Sequence, residues 1–151
     1  MLAMDSNIAF EIAETALVLR REFDRRAAEL GVTRAQWRVL SRLSRQDGLR
    51  QVELAEALDV EPITLCRMID RLEEAGLVTR HADPADRRAW RLHITTAARP
   101  LVEKLRRLAD DMAAEAFASI DPKELETTRR VLAQIRENAG ANIALNRASN
   151  E

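Results

Sequence analysis

The feature that most constrains the fold is a stretch of about 45 residues in which two short helical segments lead into two β-like runs. Gln51–Leu58 has the pattern of a short helix, and residues 59–61 have the pattern of a turn. Residues 62–75 predict a second helix: proline occupies the first turn, where a missing N–H costs nothing, and Gly76 follows its end. A helix-turn-helix of this kind can place its second helix in a DNA major groove.

The two β-like runs, residues 77–81 and 89–94, flank the loop Asp83-Pro84-Ala85-Asp86-Arg87-Arg88. In the second run one packed face and one solvated face are predicted, because Trp90, Leu92 and Ile94 alternate with Arg91 and His93. A hairpin with paired arginines at its tip, placed directly after a helix-turn-helix, predicts a wing that holds duplex DNA. The alternative is that these two arginines are ordinary solvent-exposed charges of a surface loop.

Apolar spacing in the second helix predicts which of its sides contacts DNA. Leu65, Ile69 and Leu72 recur at i, i+4 and i+7 and should form the buried stripe. The same spacing places six residues on the outward side of the helix or on its flanks: Ile63, Thr64, Arg67, Asp70, Arg71 and Glu74. Arg67 is therefore expected at DNA, although an intrahelical pair with Asp70 or Glu74 is the alternative.

The charge of the whole chain gives little indication of nucleic-acid binding, with 24 basic and 25 acidic side chains. Residues 34–100 hold twelve basic and ten acidic side chains, a net charge of +2, and all twelve are arginine. Arginine's planar fork suits phosphate and guanine edges better than the point charge of lysine. DNA contact is thus expected from a few placed arginines and not from a broad basic surface.

Long amphipathic segments flank the central region. The N-terminal segment has one apolar strip along Ile8, Ile12, Ala16, Leu19 and Phe23, and a second along Phe10, Ala13 and Leu17. Thr33 to Gln36 matches a capping box that opens the next helix. Leu101, Leu105, Leu108 and Met112 have the 4-3-4 spacing of a seam for a partner helix.

These strips predict a homodimer, since a small central lobe cannot cover them. The expected organisation is an N-terminal dimerisation helix (residues 1–32), a winged helix-turn-helix lobe (residues 33–96) and C-terminal dimerisation helices (residues 97–151). The fold class predicted is mainly α with a small β-hairpin wing. A twofold-symmetric reader of this kind matches a pseudo-palindromic operator, with one recognition helix for each half-site.

Several classes of function are disfavoured. No nucleophile–base pair, phosphate-binding glycine loop or HExxH string indicates an enzyme, and no cofactor is expected. The two histidines, His81 and His93, lack the spacing of metal ligands, and the lone Cys66 cannot form an intrachain disulfide. No apolar run reaches the roughly 18–20 residues of a membrane span. Because no signal peptide is evident either, a cytoplasmic location is expected.

The order of several strings resembles the MarR family of winged helix-turn-helix transcription regulators, over residues 8–145. The strings are Gln36-Trp37-Arg38-Val39-Leu40, Glu53-Leu54-Ala55, Arg71-Leu72-Glu73-Glu74-Ala75-Gly76-Leu77-Val78, Asp83-Pro84-Ala85-Asp86-Arg87-Arg88 and Leu92-His93-Ile94-Thr95. The resemblance implies a homodimer that leaves DNA when a small, often phenolic or aromatic, anion binds. The absence of cysteine from residues 1–30 departs from the peroxide-sensing branch of the family.

By that resemblance, Thr64 and Arg67 should approach bases or nearby phosphates, and Arg88 should enter the minor groove with Asp86 orienting it. Gln51 and Arg71 are expected at the DNA backbone. Candidate residues for an effector pocket between the first helix, the second helix and the start of the long C-terminal helix are Phe10, Phe23, Trp37 and Arg38. For Trp37 the simpler alternative is a place in the hydrophobic core.

The sequence thus predicts a DNA-binding regulator, more specifically a repressor that responds to a small molecule. The competing interpretation is a winged-helix module for protein–protein assembly with no operator of its own. The small net charge of residues 34–100 favours this alternative, and the arginines of the wing oppose it. The effector, the operator, the regulated genes, the sign of regulation and any redox role of Cys66 are not encoded in recognisable form.

Overall fold

The computed structural model describes the backbone of residues 2–148 and the side chains of residues 7–140. Over this range the elements are α1 (Leu2–Glu29), α2 (Arg34–Arg45), α3 (Gln51–Leu58), α4 (Pro62–Glu74), β1 (Val78–Ala82), β2 (Trp90–Ile94), a 3-10 turn (Thr96–Ala98), α5 (Arg99–Ala116) and α6 (Pro122–Ala148). The predicted fold class, mainly α with a β-hairpin wing, is confirmed. None of the described helices is both long and apolar enough to cross a membrane.

Local sequence signals set the helix ends. At the start of α2 the predicted capping box is present, with Thr33 Oγ1 accepting from the Gln36 N–H at 3.2 Å and Gln36 Oε1 accepting from the Thr33 N–H at 3.0 Å. Gly76 ends α4 with φ of 73°, a value that only glycine adopts readily. The Leu77 N–H then donates to the carbonyl of Leu72 at 2.9 Å, as expected of a Schellman motif. This sharp stop sends the chain directly into the hairpin.

The hairpin pairs β1 with β2 in antiparallel register, from Val78 opposite Ile94 to Ala82 opposite Trp90. The free edge of β2 is covered by the segment before α3, because the Gly48 N–H donates to the Leu92 carbonyl and the Leu92 N–H donates to the Leu49 carbonyl, both at 2.9 Å. β2 is therefore hydrogen-bonded along both of its edges, to β1 on one side and to residues 48–49 on the other, which fixes the hairpin to the lobe.

The two predicted faces of β2 need correction. Leu92 is buried, but Trp90, predicted to pack, is 47% exposed, because it lies beyond the end of the core toward the hairpin tip. Arg91 and His93, predicted to be solvated, are half-buried. Arg91 Nη1 donates to the Gly48 carbonyl at 2.9 Å, and His93 Nδ1 lies 2.9 Å from Asp47 Oδ2.

One hydrophobic core unites the lobe with residues from both flanking helices. Its largest fully buried side chains include the predicted α4 stripe. From outside residues 33–96 the core takes in Phe23, Ala27, Val32, Ala98 and Leu105. Leu101, Leu108 and Met112 are partly buried against the same core. The 4-3-4 stripe of α5 was predicted to pack on a partner helix because the lobe was expected to be too small to cover it. It packs instead on the lobe of its own chain.

The chain divides into two compact units, residues 1–112 and residues 113–151. The second contains α6, whose start is capped, with Asp121 Oδ1 accepting from the Lys123 N–H at 2.8 Å. Phe117, Ile120 and Val131 of this unit are exposed apolar side chains. The predicted three-part division into dimerisation and DNA-binding segments stays a prediction, and its end residues, Met1 and 149–151, lie outside the described range.

Candidate nucleic-acid interface

The exposed side of α4 has the composition that the sequence predicts for a recognition helix. Ile63, in its first turn, is 62% exposed, and Thr64, Arg67 and Arg71 are exposed as well. Thr64, Arg67 and Arg71 also line a cavity of about 310 Å³ with Thr33 and Gln36 at the start of α2. These side chains are therefore available to a ligand that lies along α4.

Arg67 does not use the intrahelical partners that were its alternative. Among residues 7–140 its guanidinium has no hydrogen bond or ion pair, and Asp70 is paired instead with Arg80. Over the same range the guanidinium groups of Arg71, Arg87 and Arg88 are likewise without a partner. Four arginines on the second helix and the wing thus present uncompensated positive charge.

Two aspartates shape the loop that carries the wing arginines. Asp83 Oδ1 accepts from the Ala85 N–H at 2.9 Å, and Asp86 Oδ1 accepts from the Arg88 N–H at 3.0 Å. Such side-chain turns fix a loop backbone locally. Asp86 was expected to orient Arg88; the bond it makes holds the backbone of Arg88, and no bond to the guanidinium is present among the described side chains.

Asp83 holds the wing loop in place, a role that its sequence context does not reveal. Its carboxylate is 2% exposed, with Oδ2 at 2.7 Å from Arg50 Nε and at 3.3 Å from Arg91 Nε. The backbone N–H of Ala85, together with these guanidinium groups, holds the pKa of Asp83 below its usual value of 3.8 despite the opposing effect of burial. Asp83 therefore remains ionised and anchors the start of the wing loop to Arg50, the residue before α3, and to Arg91 of β2.

Arg80 is a second residue that the sequence did not reveal. From β1 its guanidinium reaches Asp70 Oδ1 at 2.7 Å and Glu73 Oε1 at 3.1 Å, both on α4. It also donates to Gln51 Oε1 of α3 at 3.2 Å and to the carbonyl of Cys66 at 3.2 Å. The wing, the first helix of the motif and the second helix are thus joined through one side chain.

Gln51 and Cys66 therefore have intramolecular partners. The side-chain oxygen of Gln51 accepts a hydrogen bond from Arg80. Its side-chain N–H groups have no hydrogen-bond partner among the described residues. Cys66 is partly buried, and its Sγ lies 3.7 Å from Arg80 Nη2. No group of three or more His, Cys, Asp or Glu side chains in the described part of the chain is placed to hold a metal ion.

The four candidates for an effector pocket are only partly brought together. Phe23 and Trp37 meet edge to face with ring centroids 4.7 Å apart, and Trp37 Nε1 donates to Asp24 Oδ1 at 2.7 Å. Arg38 donates to the carbonyl of Leu58. Phe10 is 62% exposed and lies thirteen residues before Phe23, which is about 20 Å along a helix.

A cavity does occur where the pocket was expected. It measures about 480 Å³ and lies between α1, α2 and α5, lined by Phe23, Ser41, Ser44, Arg45, Val102, Glu103, Leu105, Arg106 and Ala109. Trp37 and Arg38 line a smaller cavity of about 200 Å³ that shares Ser41 and Arg45 with it. Of the four candidates, Phe23 alone lines the larger cavity.

A helix-turn-helix with unpaired arginines on its second helix, followed by a hairpin with two more at its tip, defines a winged helix-turn-helix DNA-binding protein. Comparison with known proteins agrees. The family model described as MarR family matches residues 32–90. The crystal structure of transcriptional regulator PA3341 is 36% identical, with a TM-score of 0.81 over 89% of this chain and 98% of that one. The chain belongs to the MarR family.

Two further solved structures are similar at lower identity. A MarR family transcriptional regulator from Silicibacter pomeroyi is 27% identical, with a TM-score of 0.77 over 87% of this chain and 88% of that one. Wild-type MarR from E. coli in its apo form is 26% identical, with a TM-score of 0.73 over 84% of this chain and 95% of that one. The protein is a DNA-binding transcriptional regulator, and the members of its family are regulators and not enzymes.

Proposed function

We propose that this protein is a homodimeric repressor that binds a pseudo-palindromic operator through α4 and the wing. The observation that carries the proposal is the set of unpartnered guanidinium groups within residues 7–140, at Arg67 and Arg71 on α4 and at Arg87 and Arg88 on the wing loop. A surface arginine on a helix can pair with a carboxylate three or four residues away. Here Arg80 and Arg50 engage Asp70 and Asp83, which leaves the outer arginines free for DNA.

The assigned contacts follow from position. Ile63, Thr64 and Arg67, near the start of α4, face base edges in the major groove, where arginine can bind guanine O6 and N7. Arg88 enters the adjacent minor groove, and Arg87 and Asp86 border it on the loop. Gln51 and Arg71 lie where phosphates flank the groove. Each dimer arm repeats this set on one half-site, about one turn of DNA apart.

Two arginine variants test the contact assignment. Arg67→Ala should cost about 1–3 kcal/mol in binding free energy and relax base preference, whereas Arg88→Ala should weaken binding across sequences. A matched control is Arg99→Ala, which removes an exposed charge from the start of α5. Gel shifts against DNA flanking its own gene, run at several salt concentrations, measure the effect. If both variants bind like the parent, the contacts are misassigned.

We further propose that a small aromatic or phenolic anion releases the DNA by binding between α1, α2 and α5. The cavity there has the size of a small-molecule site and combines the ring of Phe23 with the guanidinium of Arg45. Glu103 lies 3.3 Å from Arg106 and 3.4 Å from Arg107, so these basic side chains are compensated. Among residues 7–140 the guanidinium of Arg45 makes no hydrogen bond or ion pair, and it is the natural site for a carboxylate.

Release requires that the effector bind the DNA-incompatible arrangement more tightly than the compatible one, since equal affinity shifts no population. Benzoate is the probe, and benzyl alcohol is its uncharged counterpart. Benzoate should raise the Tm and weaken operator binding, and Arg45→Ala should abolish both effects, while Arg130→Ala on α6 should retain them. Equal responses of the parent and Arg45→Ala would place the ligand elsewhere.

A further inference from the structure

The hairpin has an inner face, defined here by Arg80, Ala82, Trp90 and Leu92. The register sets Arg80 opposite Leu92 and Ala82 opposite Trp90, and residues directly opposite each other share a face. Leu92 on this face is buried, and Arg80 on this face reaches Gln51 of α3 and Asp70 of α4. The inner face is therefore turned toward both helices of the helix-turn-helix.

Trp90 is the residue of this face that lies nearest the tip of the wing in β2. Its side chain is 47% exposed, and its cross-strand neighbour Ala82 has only a methyl group to cover an indole. Within residues 7–140 no hydrogen bond is made by its Nε1–H. A tryptophan offers a flat apolar body with one polar donor at its edge, which suits a surface that is part apolar and part charged.

The shape of duplex DNA supplies such a surface at this place. Adjacent major and minor grooves are separated by one sugar–phosphate strand. With α4 in the major groove and the wing tip in the neighbouring minor groove, that strand must cross the space between the two elements. The inner face of the hairpin borders this space.

We propose that Trp90 packs on the deoxyribose of this strand and donates its Nε1–H to a phosphate oxygen. The inference rests on the proposed placement of α4 and the wing on DNA. It adds to that placement a contact that is not an ion pair. The cation next to it on the inner face, Arg80, is already neutralised by Asp70 and Glu73. Trp90 therefore contributes affinity without sequence readout and without releasing a counterion.

The lack of an ion pair gives the inference a distinctive signature. Trp90→Ala should weaken binding by about tenfold or more on both selected and unrelated duplexes, because an apolar contact and a hydrogen bond to a charged group are lost. The slope of log affinity against log salt should not change, whereas for Arg88→Ala its magnitude should fall by about one. Trp90→Phe keeps a ring without the donor, and its affinity should fall between those of the parent and Trp90→Ala. A matched control is His81→Ala, an exposed residue of the opposite face of the hairpin, which should stay within about twofold.

Fluorescence follows the same residue in the unmodified protein. The chain has two tryptophans, and Trp37 is half-buried with its N–H bonded to Asp24. Quenching by neutral acrylamide should thus report mainly on Trp90. Adding a duplex should protect the parent from acrylamide and leave Trp90→Phe almost unaffected. Acrylamide quenching therefore shows whether Trp90 lies at the DNA even if Trp90→Ala is too unstable for its affinity to be interpreted.

The experiment uses the full chain and a duplex that the parent selects from a random-sequence library. If Trp90→Phe binds like the parent and DNA gives no protection from acrylamide, Trp90 is not at the DNA, while the function proposed above stands. If the parent selects no duplex at all, the placement on DNA is wrong and this inference fails with it.

Discussion

Arg80 Nη2 lies 2.7 Å from Asp70 Oδ1, so that the first strand of the wing is tied to the outward side of the second helix. The bond neutralises an acidic side chain on the surface that we propose to face DNA, and a further bond to Glu73 Oε1 at 3.1 Å does the same one turn later. Because carboxylates repel phosphates, this arrangement removes a repulsion as well as fixing the angle between wing and helix.

Arg80→Gln should therefore weaken operator binding on the order of tenfold, because it leaves two carboxylates uncompensated near the DNA backbone. Replacing Asp70 by Asn in the same background should restore part of the affinity. A purely structural role for Arg80 predicts no such rescue. Arg99→Gln, which removes one positive charge from the start of α5, is the control for net charge, and gel shifts give the affinities.

Asp83→Asn should lower the free energy of unfolding at neutral pH, because Arg50 and Arg91 lose their shared carboxylate. The pKa of Asp83 lies below its usual value of 3.8, so its ionisation stabilises the fold above that pH, and the contribution is lost as the pH falls through the lower, folded-state pKa. The difference between parent and variant should then shrink as the pH falls below 3.8 and through the lower, folded-state pKa.

Urea denaturation at a series of pH values measures this difference. Asp86→Asn is the control, since it removes an exposed acid from the same loop. A constant gap between the parent and Asp83→Asn down to the acid limit would show that the carboxylate acts by shape and not by charge.

Sequence reading succeeds where the governing interactions are local. The bounds of α3 match the prediction, α4 ends one residue early, and each strand begins one residue later than its β-like run. The capping box at Thr33 and the stop at Gly76 involve neighbours within a few residues, so composition and spacing suffice to place them.

Long-range partners explain what the sequence does not reveal. Arg50 and Asp83 are 33 residues apart, and nothing in the loop string distinguishes the buried Asp83 from the exposed Asp86. Alternation along β2 predicted a packed Trp90, but alternation fixes only the face of a residue and not where the core ends. In the same way the 4-3-4 spacing of α5 shows an apolar stripe without showing which surface covers it.

Leu105→Ala tests the packing of that stripe. Leu105 is 3% exposed within the core of the lobe, so its truncation should lower the free energy of unfolding by about 2–5 kcal/mol. Ile63→Ala, at a position that is 62% exposed, should change it by no more than about 0.5 kcal/mol. Denaturation at a fixed protomer concentration gives both values. Equal stability of Leu105→Ala and the parent would contradict the assignment of α5 to the core.

The proposed dimer is tested on α1, where Ile8, Phe10 and Val18 are 54%, 62% and 63% exposed. Ile8 and Phe10 belong to the two apolar strips of α1, and strips left exposed in one chain are where we expect a second chain to pack. In a twofold dimer each substitution occurs twice, and burying a carboxylate without a partner is costly. Phe10→Asp should thus convert the dimer to monomer and abolish tight operator binding, since one lobe reaches one half-site only.

Light scattering after gel filtration gives the mass directly. Val52→Asp, at an exposed position of α3 that is 60% accessible, should leave the mass of the dimer unchanged and so separates a loss of assembly from a general effect of the added charge. If Phe10→Asp elutes with the mass of the parent, α1 is not the dimer surface, and the exposed apolar residues of α6 become the next place to substitute.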